Sequence, residues 1–149
     1  MGAFIEVTET GGPEVLKLAQ RDTPKPAAGE ALVRHTSIGL NYIDIYFRTG
    51  LYPAPTMPFT PGMEGAGVVE AVGDGVSNVK HGDRVAYASA PVGAYAEERL
   101  IAADRLVKVP DGISDDEAAA MMLKGMTAQY LLRQTFRVKE GQTVLFHAA

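Results

Sequence analysis

Pro61-Gly62-Met63-Glu64-Gly65-Ala66-Gly67-Val68-Val69-Glu70-Ala71-Val72-Gly73-Asp74-Gly75 is the stretch on which the fold turns. Gly65 to Val72 is a short run of small and β-branched residues and reads as a strand. Gly73-Asp74-Gly75 closes it, the Asp-Gly pair favouring a turn that needs a positive φ. The glycines Gly62, Gly65 and Gly67 do not make a dinucleotide fingerprint. That motif sets Gly-x-Gly-x-x-Gly between a strand and a helix, whereas these glycines lead into a strand that no helix follows. No Walker lysine follows either.

The same grammar extends in both directions. Upstream, Ala3 to Thr8 and Val15 to Ala19 read as strands around a Gly11-Gly12-Pro13 turn, and Ala31 to Ile38 follows the proline-rich connector Thr23 to Pro26. Downstream, Arg84 to Ala88, Gly93 to Ala102 and Leu106 to Val109 are further strands. Short strands with closely spaced turn signals predict a mainly β domain, a small barrel or sandwich with a few helices. Asn41 to Arg48 breaks the pattern. Tyr42, Ile45 and Tyr46 fall at helical spacing and Gly50 is a C-terminal stop, so one or two helical turns are expected. Leu51 to Pro61 then holds Pro53, Pro55, Pro58 and Pro61, which predicts a stiff surface loop.

At Ser114 the period changes again. Ser114-Asp115-Asp116-Glu117 fits a capping box, and the acidic first turn suits the helix dipole. Ala118, Met122, Met126 and Tyr130 form one row of the expected helix, with Leu123, Thr127 and Leu131 on the next. So wide an apolar face predicts packing on more than one side. Gly125 reads either as a close helix contact or as room for a ligand. Near the end, Gly141-Gln142-Thr143 leads into Val144-Leu145-Phe146, an apolar strand with nothing after it to cover its edge. The expectation is therefore a fragment cut at the first strand of a second domain.

Composition narrows the function. The 149 residues are 46% hydrophobic and 21% charged, which suits a folded domain. A formal charge of -4 lacks the basic surplus of a phosphate-binding nucleic-acid protein. There is no cysteine, so neither a disulfide, a thiol nucleophile nor a cysteine-bound zinc can form. Met1 to Glu6 has no signal-peptide pattern, and Glu6 stands where a myristoylation signal needs Ser or Thr. The longest strictly apolar run, Ala118 to Leu123, is too short to cross a bilayer. His35, His81 and His147 are isolated, so no metal site is expected, and no Gly-x-Ser-x-Gly elbow is present. Glu64, flanked by glycines, reads as a buried ion pair or a carboxylate bonded to turn amides. Asn41, Tyr42, Asp44, Tyr46 and Tyr52 cluster on the short helix and the proline loop. The neutral donors among them suit a carbonyl-polarising site, and the alternative is that Tyr42 and Tyr46 are core aromatics.

Eight stretches in collinear order resemble one known domain. They are Gly11-Gly12-Pro13-Glu14-Val15-Leu16, Gly39-Leu40-Asn41-Tyr42-Ile43-Asp44, Arg48-Thr49-Gly50-Leu51-Tyr52-Pro53, Pro61-Gly62-Met63-Glu64-Gly65-Ala66-Gly67, Gly82-Asp83-Arg84-Val85, Gly93-Ala94-Tyr95, Leu123-Lys124-Gly125-Met126-Thr127 and Leu145-Phe146-His147-Ala148-Ala149. Together they resemble the N-terminal GroES-like β-barrel domain of zinc-independent quinone oxidoreductases of the zeta-crystallin type, within the medium-chain dehydrogenase/reductase superfamily. The resemblance implies a catalytic domain over 1–113 and, over 114–149, an inter-domain helix and the truncated first strand of an α/β Rossmann domain. It implies hydride transfer from NADPH to a quinone, with Asn41, Tyr42, Lys124 and Thr127 toward the cofactor. Tyr46 and Tyr52 would hold or polarise the substrate, with Asn41 orienting groups at the reacting centre. It implies no metal, because Asn41 stands where zinc relatives carry Cys and Met63 where they carry His. It further implies a cytoplasmic homodimer and an isolated domain that is inactive. The alternatives are an enoyl reductase of the same superfamily, and a non-catalytic GroES-like or crystallin-like binding module. The acidic balance weighs against RNA as a partner of the latter.

Overall fold

The computed structural model describes residues 1–54 and 56–147. Pro55 of the proline loop and Ala148-Ala149 of the last matching stretch lie outside the described residues. Among the described residues, seven strands and two α-helices follow in the order β1 (Gly2–Glu6), β2 (Lys17–Arg21), β3 (Glu30–Gly39), α1 (Tyr42–Thr49), β4 (Glu64–Val72), β5 (Arg84–Ala88), β6 (Glu98–Ala102), β7 (Val107–Lys108) and α2 (Asp115–Tyr130). The mainly β expectation is borne out. β6-β3-β4-β5-β7 form an antiparallel sheet and β1-β2 a separate hairpin. The hairpin is laced to the larger sheet, since the Ile5 amide donates to the Tyr95 carbonyl at 2.8 Å and the Glu97 amide to Ala3 at 2.8 Å. Residues 95–97 run straight into β6, and the core against the larger sheet includes Val33, Val69, Val85, Tyr87 and Ile101.

Three strands depart from the sequence reading. Val15 to Ala19 was expected to be extended, but Pro13–Val15 is a 3-10 turn and the strand is Lys17–Arg21. Proline fixes φ near the helical value at the start of that turn and so delays the strand. β1 ends at Glu6, where Val7 instead bridges to Phe59 of the proline loop. Residues 93–97 are irregular, although Ala96 bridges to Phe4. β4 and β5 lie within one residue of expectation.

Helix α1 ends as predicted at Gly50, whose φ of 79° is the left-handed stop that glycine takes without strain. Helix α2 starts as predicted, the Glu117 amide donating to the Ser114 hydroxyl and the Ser114 amide to the Glu117 carboxylate. Its packing differs from expectation. Ala118 and Ala119 are buried against Ala66 and Ala86, but Met126, Tyr130 and Leu131 are each close to half exposed. The sheet reaches only the first turns, so the rest of the apolar face has no described partner. A Cβ at Gly125 would meet open space among the described residues, so none of them packs closely against that glycine. Leu131–Thr135 widens into a π turn. Residues 144–146, expected to begin a strand, form none among the described residues. A strand exists only as part of a ladder, and no described segment pairs with them.

Small residues set the depth at which α2 rests. Ala66, which shares a buried cluster with Ala118 and Ala119, carries only a methyl group, so the helix lies low on β4. Gly39 pairs with Glu64 across the β3–β4 ladder, and a Cβ on Gly39 would collide with the Ala119 carbonyl and with Glu64 itself. This close approach places a carboxylate at the base of a helix.

Candidate functional site

The site lies where α1, β4 and α2 meet. Asn41 ends the extended segment after β3 and caps α1 through its backbone: its amide donates to Asp44 Oδ2 at 2.9 Å, and the Asp44 amide donates to its carbonyl at 3.0 Å. The Asn41 side chain is thereby left for other partners. Its Nδ2 donates to Glu64 Oε1 at 2.7 Å, and its Oδ1 accepts from Lys124 Nζ at 2.8 Å.

Glu64 is the hub. It is 0% exposed, yet every strong interaction a carboxylate needs is close by. Oε1 takes Asn41 and, at 3.1 Å, Lys124 Nζ; Oε2 takes the Leu123 amide of α2 at 2.7 Å. The sequence reading of Glu64 as an ion pair or an amide-bound carboxylate holds, and the amide comes from a helix rather than a turn. The Lys124 side chain is 60% exposed, so its ammonium spans from the buried carboxylate to the surface.

Asp44 backs this cluster. It is buried, and its Oδ2 also accepts the Tyr95 hydroxyl at 3.1 Å, while Oδ1 has no partner among the described residues. Burial pushes the Asp44 carboxyl up from its ordinary value, partly offset by the Asn41 amide and the Tyr95 hydroxyl. Burial, then the adjacent Asp44 charge, pushes the Tyr95 phenol up, so it stays a neutral donor.

The other expected residues make no described bond to the hub. Tyr42, next to Asn41, is 78% exposed, so it is not a core aromatic. Tyr46 lies one turn further along α1 on the same face. Its ring meets Tyr52 edge-on with centroids 5.3 Å apart, and Phe47 also packs edge-on against Tyr52 at 5.9 Å. The Tyr52 amide donates to the Tyr46 carbonyl at 3.1 Å, tying the proline loop to the helix. Thr127 sits one turn after Lys124, its hydroxyl donating to the Leu123 carbonyl at 2.8 Å.

Sequence reasoning missed Tyr95 as a partner of Asp44, since residues 44 and 95 are joined only by folding. It also missed a second buried polar pair in the core. His35 Nδ1 donates to the Ala96 carbonyl at 2.6 Å, which fixes its tautomer and leaves Nε2 to accept the Tyr87 hydroxyl at 2.7 Å. An isolated histidine in a strand gives no sequence signal of such a partner.

Known proteins share this arrangement of chain. The chain is 54% identical over its full length to a quinone oxidoreductase of Pseudomonas aeruginosa, of which it covers 46%. It is 44% identical over 96% of its length to a 2-haloacrylate reductase of a Burkholderia species, covering 44% of that protein. Among solved structures, the Escherichia coli quinone oxidoreductase complexed with NADPH superposes with a TM-score of 0.89 at 46% identity, over 92% of this chain and 42% of that one. The chain thus spans about half the length of the curated relatives it matches. The sequence model of the alcohol dehydrogenase GroES-like domain matches residues 27–111, from the lead-in to β3 through β7. Because that match covers Asn41 and Glu64 and more than half of the chain, this protein belongs to the alcohol dehydrogenase GroES-like domain family.

Proposed function

We propose that this chain is the catalytic half of an NADPH-dependent, zinc-independent quinone oxidoreductase. The observation that carries the proposal is the Asn41–Glu64–Lys124 cluster, a set of fixed polar groups at the start of α1, the helix that also carries exposed Tyr42 and the Tyr46 ring paired with Tyr52. Whole-length similarity to quinone oxidoreductases, one of them solved with NADPH, supports the cofactor and the substrate class.

Asn41, Tyr42, Lys124 and Thr127 are the residues that would hold NADPH, which supplies hydride when bound. Asn41 keeps one amide N–H and Lys124 one ammonium N–H free of described partners, so both retain donors for a ligand. Tyr46 and Tyr52 form an aromatic wall suited to a flat ring, and their hydroxyls bond no described residue. Held this way, a quinone is oriented by its faces and its oxygens together. The half-exposed α2 tail would exclude water once covered by a second domain. In this reading residues 1–113 are the substrate domain, and 114–149 lead into a nucleotide-binding domain. The complete enzyme would be a cytoplasmic homodimer.

The donor set does not fit zinc. Asn41 offers one oxygen, already taken by an ammonium, Met63 is buried, and no three His, Cys, Asp or Glu side chains gather among the described residues.

A second reading is reduction of an activated carbon–carbon double bond, favoured by the similarity to a 2-haloacrylate reductase. Both are tested by following NADPH oxidation by the full-length protein with quinones, 2-haloacrylates and enoyl thioesters. Turnover of quinones by a protein carrying no stoichiometric zinc is the expected result. Turnover confined to the alkenes overturns the first reading in favour of the second.

A further inference from the structure

An ammonium has three N–H donors and accepts nothing. Two of those on Lys124 are committed, to Asn41 Oδ1 at 2.8 Å and Glu64 Oε1 at 3.1 Å, and the third has no partner among the described residues. An exposed lysine ordinarily samples many rotamers, and these two bonds remove most of that freedom before any ligand arrives. The carboxylate beneath it makes a formally neutral pair, yet the ammonium keeps an N–H for a partner beyond that carboxylate. Glu64 also serves the Asn41 amide and the Leu123 amide, so its negative charge is shared among three donors. Other cations are engaged elsewhere: Arg34 pairs with Glu70, Arg84 with Asp115 and Lys108 with Asp83, while Arg48 leans on the Gly11 carbonyl. Tyr46 and Tyr52 are neutral. Lys124 is the cation bonded directly to Asn41 and Glu64 among the described residues, and it keeps one donor free.

We propose that the Lys124 ammonium is the group that receives the negative charge arriving on the substrate oxygen, and that Glu64 is the positioning residue that holds it there. This deepens the quinone reading above and rests on it, and it assigns the single free N–H of Lys124 to the substrate oxygen rather than to NADPH. Two electrons and one proton pass as hydride from NADPH, leaving NADP⁺, to the neutral quinone, which becomes the hydroquinone monoanion. A proton from water then completes the hydroquinone. The anionic oxygen is stabilised most where a charged donor stands ready before the charge forms, and a pre-fastened ammonium meets that requirement.

The test uses the full-length protein with K124M, K124R and E64Q, and a series of quinones whose hydroquinone anions differ in basicity. K124M is expected to lower kcat at saturating NADPH by about ten- to a hundredfold, the range for one charge-assisted hydrogen bond. The loss should grow with the basicity of the anion, because localised charge gains most from the ammonium. K124R should restore part of it. E64Q, which leaves the ammonium loosely held, should show a smaller loss with the same trend. A second readout needs no turnover: K124M should weaken binding of a nitrophenolate, followed by its visible absorption, but not of the neutral phenol. K124M that weakens NADPH binding yet keeps wild-type kcat on every quinone overturns the inference, as does equal loss of phenol and phenolate. E64Q with full kcat overturns the role given to Glu64. A wild-type protein that turns over no quinone removes the reading itself, and the inference with it.

Discussion

The Glu64 carboxylate, fully buried at the start of β4, accepts the amide of Leu123 in the middle of α2 at 2.7 Å. A single side chain thus fastens the helix to the barrel and, through its other oxygen, fixes Asn41 and Lys124. Structure and chemistry share one anchor, so changes there act on both.

Glu64→Ala leaves the Leu123 amide and the Asn41 side-chain amide without their acceptor. Two orphaned donors, at roughly 1–3 kcal/mol each, predict a loss of at least about 2 kcal/mol in urea unfolding. Glu64→Gln keeps one acceptor oxygen and is expected to cost less. Equal midpoints for E64A and the parent chain would contradict the bond network.

Gly39→Ala places a methyl group against the Ala119 carbonyl and Glu64. The strand must move or the helix must lift, and overpacking of this kind costs about 1–3 kcal/mol. Hydrogen exchange at the Leu123 amide is the direct readout: it should quicken in G39A far more than amides of β5 do.

His35 gives a pH dependence whose sign is fixed by its burial. Burial lowers its pKa from 6.5, with the Ala96 carbonyl pulling up and the Arg99 charge adding to the fall. Below the unfolded value the unfolded chain binds a proton that the native one resists, so stability falls as pH drops through 6.5. Above it the term vanishes. His35→Asn, which keeps a donor for the Ala96 carbonyl, should flatten that slope in unfolding experiments run across mildly acidic pH.

The exposed apolar surface of Tyr130, Leu131, Leu132, Phe136, Leu145 and Phe146 predicts self-association of the 149-residue chain. Sedimentation should show concentration-dependent oligomers, and L145E/F146E should shift them toward monomer. A monodisperse monomer at high concentration would mean that these side chains are covered in solution.

Tyr46→Leu or Tyr52→Leu removes an edge-on aromatic contact of about 0.5–1.5 kcal/mol and with it one face of the proposed ring wall. Higher KM for quinone with unaltered NADPH affinity is the expected pattern in the full-length enzyme. Tyr46→Phe and Tyr52→Phe keep the wall and separate the rings from their hydroxyls.

The amino-acid order alone settled whatever is local. Asn41 to Gly50 carries its own helix spacing and stop, Ser114 to Glu117 its own cap, and Gly73 to Gly75 its own turn, because each depends on backbone preferences and neighbours a few residues away. Where proline and strand tendencies competed, as at Pro13 to Ala19, boundaries drifted by two residues. Only the folded chain decided which polar groups meet. Glu64 read as a buried pair, but its partners Asn41, Leu123 and Lys124 come from 23, 59 and 60 residues away. Asp44 with Tyr95 and His35 with Tyr87 are separated by 51 and 52. Nor could the row of methionines and leucines on α2 say which turns are buried, since periodicity marks an apolar face and not the extent of the surface that covers it. Hydrogen-bond partners over such distances are chosen by packing depth, here set by glycine and alanine on β3 and β4, and that depth exists only once the sheet has formed.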